Sequence, residues 1–163
     1  MIKLGVIGAI VILFCSVFAC AGSNRYFDKK INEYKEFLSL FYLLKHKISS
    51  SATKINDIMA GIDESEYTDL RSFILKARIE GVYRSYVEIE NELLINRDDK
   101  NIIKACFFDM GKNMISAELE NIDICLKSLE KNYETIKLRT SSDKRVNNTV
   151  IICVTLLVLI LIA

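Results

Sequence analysis

FDKKINEYKEFLSLFYLLKHKI, residues 27–48, is the stretch that decides the fold of this chain. Its apolar residues recur at steps of three and four, which is the period of a helix that buries one face. In chain order they are Phe27, Ile31, Tyr34, Leu38, Phe41 and Ile48, with Lys45 inside the series and Phe37, Leu40 and Leu44 beside it. The pattern predicts one long amphipathic helix.

The same spacing returns near the other end of the chain and predicts a second long helix. Its apolar positions are Leu119, Ile122, Leu126, Leu129, Tyr133 and Ile136. Two long helices with one apolar face each are expected to pack as an antiparallel pair. Shorter apolar runs between them predict four smaller helices. The chain has no proline and only 6 glycines, which favours helices over turns. The prediction is an all-α bundle of about six helices.

Polar residues mark where the smaller helices begin and end. We expect Asp63 or Ser65 to cap the third helix and Gly81 to lie near its C-terminal end. Asn96 to Asp98 is interpreted as a turn, with Asp98 capping the fifth helix.

Both ends of the chain are apolar and set its predicted domain organisation. The run from Leu4 to Ala21 has no charge and is long enough to cross about 30 Å of hydrocarbon. The run from Val150 to Ala163 would be about 21 Å long as a helix, and it is apolar on every side. We therefore expect a signal-anchor-like transmembrane helix at 1–23, a helical bundle domain at 24–148 and a C-terminal transmembrane segment at 149–163.

Flanking charge predicts which side of the membrane holds the bundle. Basic residues follow the first apolar run and precede the second, and such residues are retained in the cytoplasm. They are Arg25, Lys29, Lys30 and Lys35, then Arg139, Lys144 and Arg145. An alternative stays open, because Val17 to Cys20 also resembles a bacterial lipoprotein signal. The protein would then be an exported lipoprotein, acylated at Cys20, with an extracellular helical binding domain.

Several kinds of chemistry are not expected here. The formal charge is +1, from 22 basic and 21 acidic residues, so no nucleic-acid surface is predicted. His46 is the single histidine and the glycines are scattered, so we expect no catalytic residue, metal, cofactor or small-molecule substrate. Cys106 and Cys125 are interpreted as core residues. The stretch 127–145 has six basic residues and three acidic ones, which favours contact with membrane lipid or simple retention charge.

The chain resembles the stage III sporulation protein AB family of endospore-forming bacteria over nearly its whole length. The resemblance begins with MIKLGVIGAIVIL (residues 1–13) and continues through EFLSLFYLLKHKIS (residues 36–49). It is strongest in MGKNMISAE (residues 110–118), which is similar to the family's Phe-Gly-Lys-x-Leu-Gly-x-Ser-Asp junction between two helices. Ile115 stands where the family has a second glycine, and Glu118 where it has aspartate.

The resemblance implies a fold like the cytoplasmic helical domains of platform proteins in type II secretion and type IV pilus machines. It also implies a role as a non-enzymatic scaffold of a secretion-like channel between mother cell and forespore. The protein would lie in the mother-cell membrane around the forespore, with its helical domain in the cytoplasm. The implied partners are membrane lipid and other channel components, including the cytoplasmic ATPase of the same system.

The junction that carries the resemblance also supplies the candidate partner interface. Its residues are Gly111, Lys112, Asn113, Ser116 and Glu118. In a structural interpretation Gly111 lets two helices approach, Ser116 caps the last helix and Glu118 adds charge to its first turn. In the functional interpretation this end of the bundle contacts the ATPase. The sequence leaves both interpretations open.

Overall fold

A computed structural model describes residues 2–51, 53–112 and 114–162. In these residues the chain forms six α-helices and no strand, which confirms the all-α prediction. The helices are α1 (Ile2–Ser51), α2 (Ile55–Ala60), α3 (Arg71–Glu80), α4 (Val82–Ile89), α5 (Arg97–Asp109) and α6 (Ile115–Ile162). A 3-10 helix at Glu64–Glu66 lies between α2 and α3.

The chain divides into two compact units. The terminal unit consists of Met1–Asp28 and Ile136–Ala163, and the central unit is Lys29–Thr135. Helices α1 and α6 contribute to both units, whereas α2 to α5 belong to the central unit alone.

Aromatic rings from four helices form the centre of the central unit. Phe107 of α5 lies at the middle of this cluster, with its ring centroid 5.2 Å from Phe41, 5.5 Å from Phe73 and 5.4 Å from Tyr86. Phe37 of α1 packs edge-on against Tyr86 at 6.0 Å. All five side chains are buried. The predicted apolar face of α1 is therefore confirmed at its centre.

Helix α6 completes this core with Ile122, Cys125, Leu126 and Leu129, which are all buried. Lys45 Nζ lies 2.6 Å from Asp123 Oδ1, and the Tyr42 hydroxyl donates to Glu130. In these contacts the residue numbers rise along α1 as those of their partners fall along α6. This confirms the antiparallel pairing of the two helices in this unit. Cys106 and Cys125 are buried as predicted, and a hydrogen bond with Cys106 together with burial raises the pKa of the Cys125 thiol.

A buried carboxylate, Asp99, ties three helices together. It accepts hydrogen bonds from the Tyr34 hydroxyl at 2.6 Å, from Ser128 Oγ at 3.0 Å and from Asn132 Nδ2 at 2.9 Å. These donors come from α1 and α6, while Asp99 itself is in α5. The prediction that Asp98 caps this helix is wrong, because α5 begins at Arg97 and places Asp98 inside the first turn.

The backbone that leads into α3 is fixed by a carboxylate from another helix. The carboxylate of Glu36, on α1, accepts the backbone N–H groups of Thr68 at 2.7 Å, Asp69 at 3.0 Å and Leu70 at 2.8 Å. Helix α3 begins at Arg71, so the expected local cap is wrong: Asp63 instead accepts from the backbone of Ser65 and caps the 3-10 helix. Gly81 follows α3 as predicted, with a φ of 85° that favours glycine.

The side chain of Glu33, also on α1, is fully buried, but only one of its two carboxylate oxygens accepts a hydrogen bond. Its Oε2 accepts the Leu94 N–H at 2.5 Å, whereas Oε1 has no hydrogen bond. The nearest cation is Lys29, with Nζ 3.7 Å from Oε1. Burial raises the pKa of Glu33, and the carboxylate of Asp69 adds to this, while Leu94 and Lys29 oppose it. The ionised form is therefore disfavoured by folding.

We expect Glu33→Gln to stabilise the protein at neutral pH and not at acid pH. A raised pKa in the folded state means that ionised Glu33 destabilises the fold, and that this cost disappears below the ordinary value near 4.5. Removing the buried charge is expected to raise the free energy of unfolding by roughly 1 kcal/mol, or the melting temperature by about 4–8 °C. Thermal melts at pH 7.5 and pH 4 measure this, with the exposed Glu92→Gln as the control. An equal gain at both pH values would contradict the prediction.

In the terminal unit, α1 and α6 are joined by polar contacts and expose apolar side chains. Lys144 Nζ lies 2.5 Å from Asp28 Oδ1, and Asn147 Nδ2 donates to Ser23 Oγ at 2.7 Å. Large apolar side chains are more than a third exposed on both helices, and they include Val11, Leu13, Phe14, Val17 and Phe18 on α1 and Ile152, Val154, Leu156, Leu157 and Ile160 on α6.

None of the helices, over the residues described, contains a stretch that is long and apolar enough to cross a membrane. The transmembrane segments expected at 1–23 and 149–163 are thus not supported by the helices described. Met1 and Ala163, at the outer ends of those segments, lie outside the described residues.

Candidate functional site

The predicted interface residues lie in the short connection between α5 and α6 and in the first turn of α6. Gly111 has a φ of 79°, which a residue with a side chain rarely adopts. Its N–H donates to Glu118 Oε1 at 2.6 Å, so the first turn of α6 reaches back and fixes the turn. Helix α6 has Glu118 in its first turn, as predicted, where negative charge is favourable.

The predicted role of Ser116 as a cap is wrong. Helix α6 begins at Ile115, and the N–H of Glu118 already bonds to the carbonyl of Met114 at 3.0 Å. Ser116 therefore lies inside the first turn, where its side chain is exposed. Asn113 lies outside the described residues.

A cleft of about 360 Å³ opens beside this turn. Its lining comes from the end of α1, the start of α2 and the start of α6: Ile48, Thr53, Lys54, Ile55, Asn56, Gly111, Ile115 and Glu118. A Cβ atom on Gly111 would lie 3.8 Å from Ile55 Cγ2, an ordinary contact, so the backbone conformation and not lack of space favours glycine here. Met114 stands at the edge of the turn with 83% of its surface exposed.

Lys112 is directed away from the cleft lining and toward α5. Its Nζ lies 3.3 Å from the centroid of the Phe108 ring, which is a cation–π contact. Phe108 is itself half exposed and packs edge-on against Tyr83 at 5.1 Å.

The structure thus divides the predicted site residues. Gly111 and Glu118 are joined by a hydrogen bond and line the cleft, whereas Lys112 belongs to the aromatic surface beside it. The sequence prediction missed Thr53, Lys54 and Ile55, because they precede the junction by more than fifty positions and carry no pattern of their own.

The cleft has the chemistry of a binding surface. Ile48, Ile55 and Ile115 offer apolar area, while Lys54 and Asn56 offer polar groups at its edge. In the described part of the chain, no group of three His, Cys, Asp or Glu side chains is arranged to hold a metal ion.

Comparison with known protein families identifies this chain over almost its full length. The family model described as stage III sporulation protein AB matches residues 5–163, which is almost the entire chain. No curated protein and no solved structure matches the chain. This protein belongs to the stage III sporulation protein AB family and has a role in stage III of sporulation.

Proposed function

We propose that this protein is a non-enzymatic, membrane-anchored scaffold of a secretion-like channel between mother cell and forespore. The observation that carries the proposal is the surface of the terminal unit. Phe14, Phe18, Leu157 and Ile160 are each more than 60% exposed there. Contiguous apolar surface of this kind marks contact with a membrane or with another protein.

Two features of the terminal unit support contact with lipid. The uncharged run from Leu4 to Ala21 and the apolar run from Val150 to Ala163 belong to this one unit. The hydroxyls of Ser16 and Thr155 donate to backbone carbonyls three or four residues earlier, so they need no water. The proposed orientation follows from the basic residues flanking both runs, which would hold the central unit in the mother-cell cytoplasm.

Charge introduced into this surface tests the anchor. A variant with Phe18→Arg and Leu157→Arg is expected to leave the membrane fraction, because a cation costs about 2.5–3.5 kcal/mol in the middle of a bilayer. Wild type is expected to pellet with membranes and to resist carbonate extraction. Ile79→Arg, at an exposed apolar position of the central unit, is the matched control. A charged variant that remained fully membrane-bound would refute the proposed anchor.

The lipoprotein alternative predicts different chemistry at the same end. It requires acyl labelling that is lost in Cys20→Ser, and a helical domain that external protease cuts in intact cells. The scaffold proposal expects no acylation at Cys20 and protection of the central unit until the cells are lysed.

The proposed contact with the cytoplasmic ATPase of the same system is at the junction. The cleft supports this proposal because Gly111, Ile115 and Glu118 form part of an open, mixed surface. In the purely structural interpretation the same residues only fix the turn between α5 and α6.

Lys112→Glu is expected to separate these two interpretations. The Lys112 side chain is exposed, so the melting temperature is expected to stay within about 2 °C of wild type, as for most surface substitutions. If the junction is an interface, reversed charge should lower spore yield at least tenfold and weaken co-purification of the ATPase. Lys127→Glu, an exposed position on α6, is the matched control. Normal spore yield from a Lys112→Glu, Asn113→Asp protein would leave only the structural interpretation.

A further inference from the structure

A second surface of the central unit has no part in the proposed function. It is a shallow groove of about 340 Å³ between α4 and α5, lined by Tyr83, Asn101, Lys104, Ala105 and Phe108. The groove is separate from the junction cleft and has no lining residue in common with it.

Two partly exposed aromatic rings form the floor of the groove. Tyr83 is 37% exposed and Phe108 is 50% exposed, and their rings meet edge-to-face with centroids 5.1 Å apart. Their neighbours on the same helices, Tyr86 and Phe107, are fully buried and already supply the aromatic core. The exposed pair is therefore not part of that core, and partly exposed aromatic anchors are typical of protein interfaces.

The charge around the rings is basic. Lys104 lines the groove and Lys112 lies over Phe108, whereas no carboxylate is among the described lining residues. Lys104 is paired with Glu90 at 2.6 Å, but the resolved structure gives Lys112 no ion pair. Arg97 is exposed on α5 and shares the face of Asn101, Lys104 and Phe108 through steps of four and three. This face thus pairs apolar area with positive charge.

We infer that the α4–α5 groove binds an acidic amphipathic helix of a protein partner. The apolar face of such a helix would cover Tyr83 and Phe108, and its carboxylates would meet Lys112 and Arg97. From Arg97 to Phe108 the exposed face of α5 is about 17 Å long, which corresponds to three turns of a bound helix.

A protein helix fits this surface better than a single nucleic-acid strand. Bases stack on open ring faces, but Lys112 already occupies one face of Phe108 and Tyr83 packs against the same ring. The inference does not depend on the membrane anchor, because it does not use the terminal unit. It shares Lys112 with the proposed ATPase contact, so its test leaves that residue unchanged.

Site-specific photo-cross-linking in sporulating cells tests the inference. The photoreactive p-benzoylphenylalanine is placed at Asn101 in the full-length chain, which keeps both rings, and at Ile79 as an exposed apolar control. Cross-linked peptides are then identified by mass spectrometry. The expected product at Asn101 is a peptide with helical apolar spacing and net negative charge. Its yield should fall at least tenfold with Phe108→Ser or Arg97→Glu, and Ile79→Ser should leave it unchanged.

Other outcomes overturn the inference. They are no product at Asn101, equal yield at Ile79, a cross-link to lipid or nucleic acid, or a peptide without net negative charge. Thermal melts of Phe108→Ser and Arg97→Glu establish that a lost cross-link reflects the surface and not unfolding. A membrane-bound, sporulation-competent protein without the cross-link would refute this inference alone, whereas release from the membrane with the cross-link intact would refute only the anchor.

Discussion

Leu126→Asp is expected to unfold the central unit, whereas Lys127→Asp is not. Leu126 is 4% exposed on the buried face of α6, and the neighbouring Lys127 is exposed. A carboxylate at position 126 would be buried without a partner at a cost of several kcal/mol, which is comparable with the whole stability of a small domain. Substitutions at exposed positions usually change stability by less than about 0.5 kcal/mol.

Circular dichroism melts of the full chain in detergent measure this difference. Wild type and Lys127→Asp should share one cooperative transition, and Leu126→Asp should lose it or shift it down by more than 15 °C. Because the two positions are adjacent and both receive aspartate, the introduced residue has the same helix propensity in both variants. Lys127→Asp makes the larger change in net charge, so the loss of stability expected of Leu126→Asp cannot come from net charge alone. Melting temperatures that agreed for both would show that the buried face of α6 is wrongly assigned.

Glu36→Gln is expected to have the second largest effect, a loss of about 3 kcal/mol. Both carboxylate oxygens accept backbone N–H groups at the start of α3, and Oε1 also accepts from Asn32 Nδ2 at 2.8 Å. A glutamine keeps one oxygen and turns an NH₂ group toward N–H donors. Each hydrogen bond to a charged group contributes about 1.5–3 kcal/mol, and a buried donor left unpaired adds a cost of its own.

Urea unfolding and amide hydrogen exchange together test the role of Glu36. The midpoint should fall strongly, and the amides of Thr68, Asp69 and Leu70 should exchange faster than in wild type, whereas those of α5 should change less. Glu88→Gln is the matched control, because Glu88 is exposed and forms an ion pair with Lys76, and such surface pairs contribute little. If the two glutamine variants lost the same stability, the hydrogen bonds between Glu36 and the backbone before α3 would make no measurable contribution to the free energy of unfolding.

Apolar spacing was enough to predict the long helices and their buried faces. Phe37, Phe41, Leu126 and Leu129 recur at helical steps, and burial of such a stripe follows from the hydrophobic effect alone. The same reasoning fails for Glu33, Glu36 and Asp99. A carboxylate on a helix is ordinarily solvated, and these three are buried only because distant backbone or side-chain donors meet them. No local pattern encodes partners that lie 29 to 65 positions away.

The candidate site was predictable only in part for the same reason. Gly111 and Glu118 lie in one local turn, so the motif indicated both of them. Thr53 and Ile55 reach the cleft through the fold, and Tyr83 reaches Phe108 in the same way. The sequence indicated Cys106 of α5 as a core residue but gave no reason to single out the exposed Phe108 two positions later.

The pairing of α1 with α6 has a consequence for the order of events on the ribosome. Tyr42 and Glu130 are 88 positions apart, so at about 5–20 residues per second the partner follows roughly 4–18 s after α1 is synthesised. Until then the core lacks Leu126 and Leu129 of α6, and the buried Asp99 lacks the hydrogen bonds that α6 donates to it. A truncated messenger RNA that ends before α6 would therefore yield a fragment with exposed apolar side chains. Such a fragment is a target for chaperones and proteases and does not form a smaller folded domain.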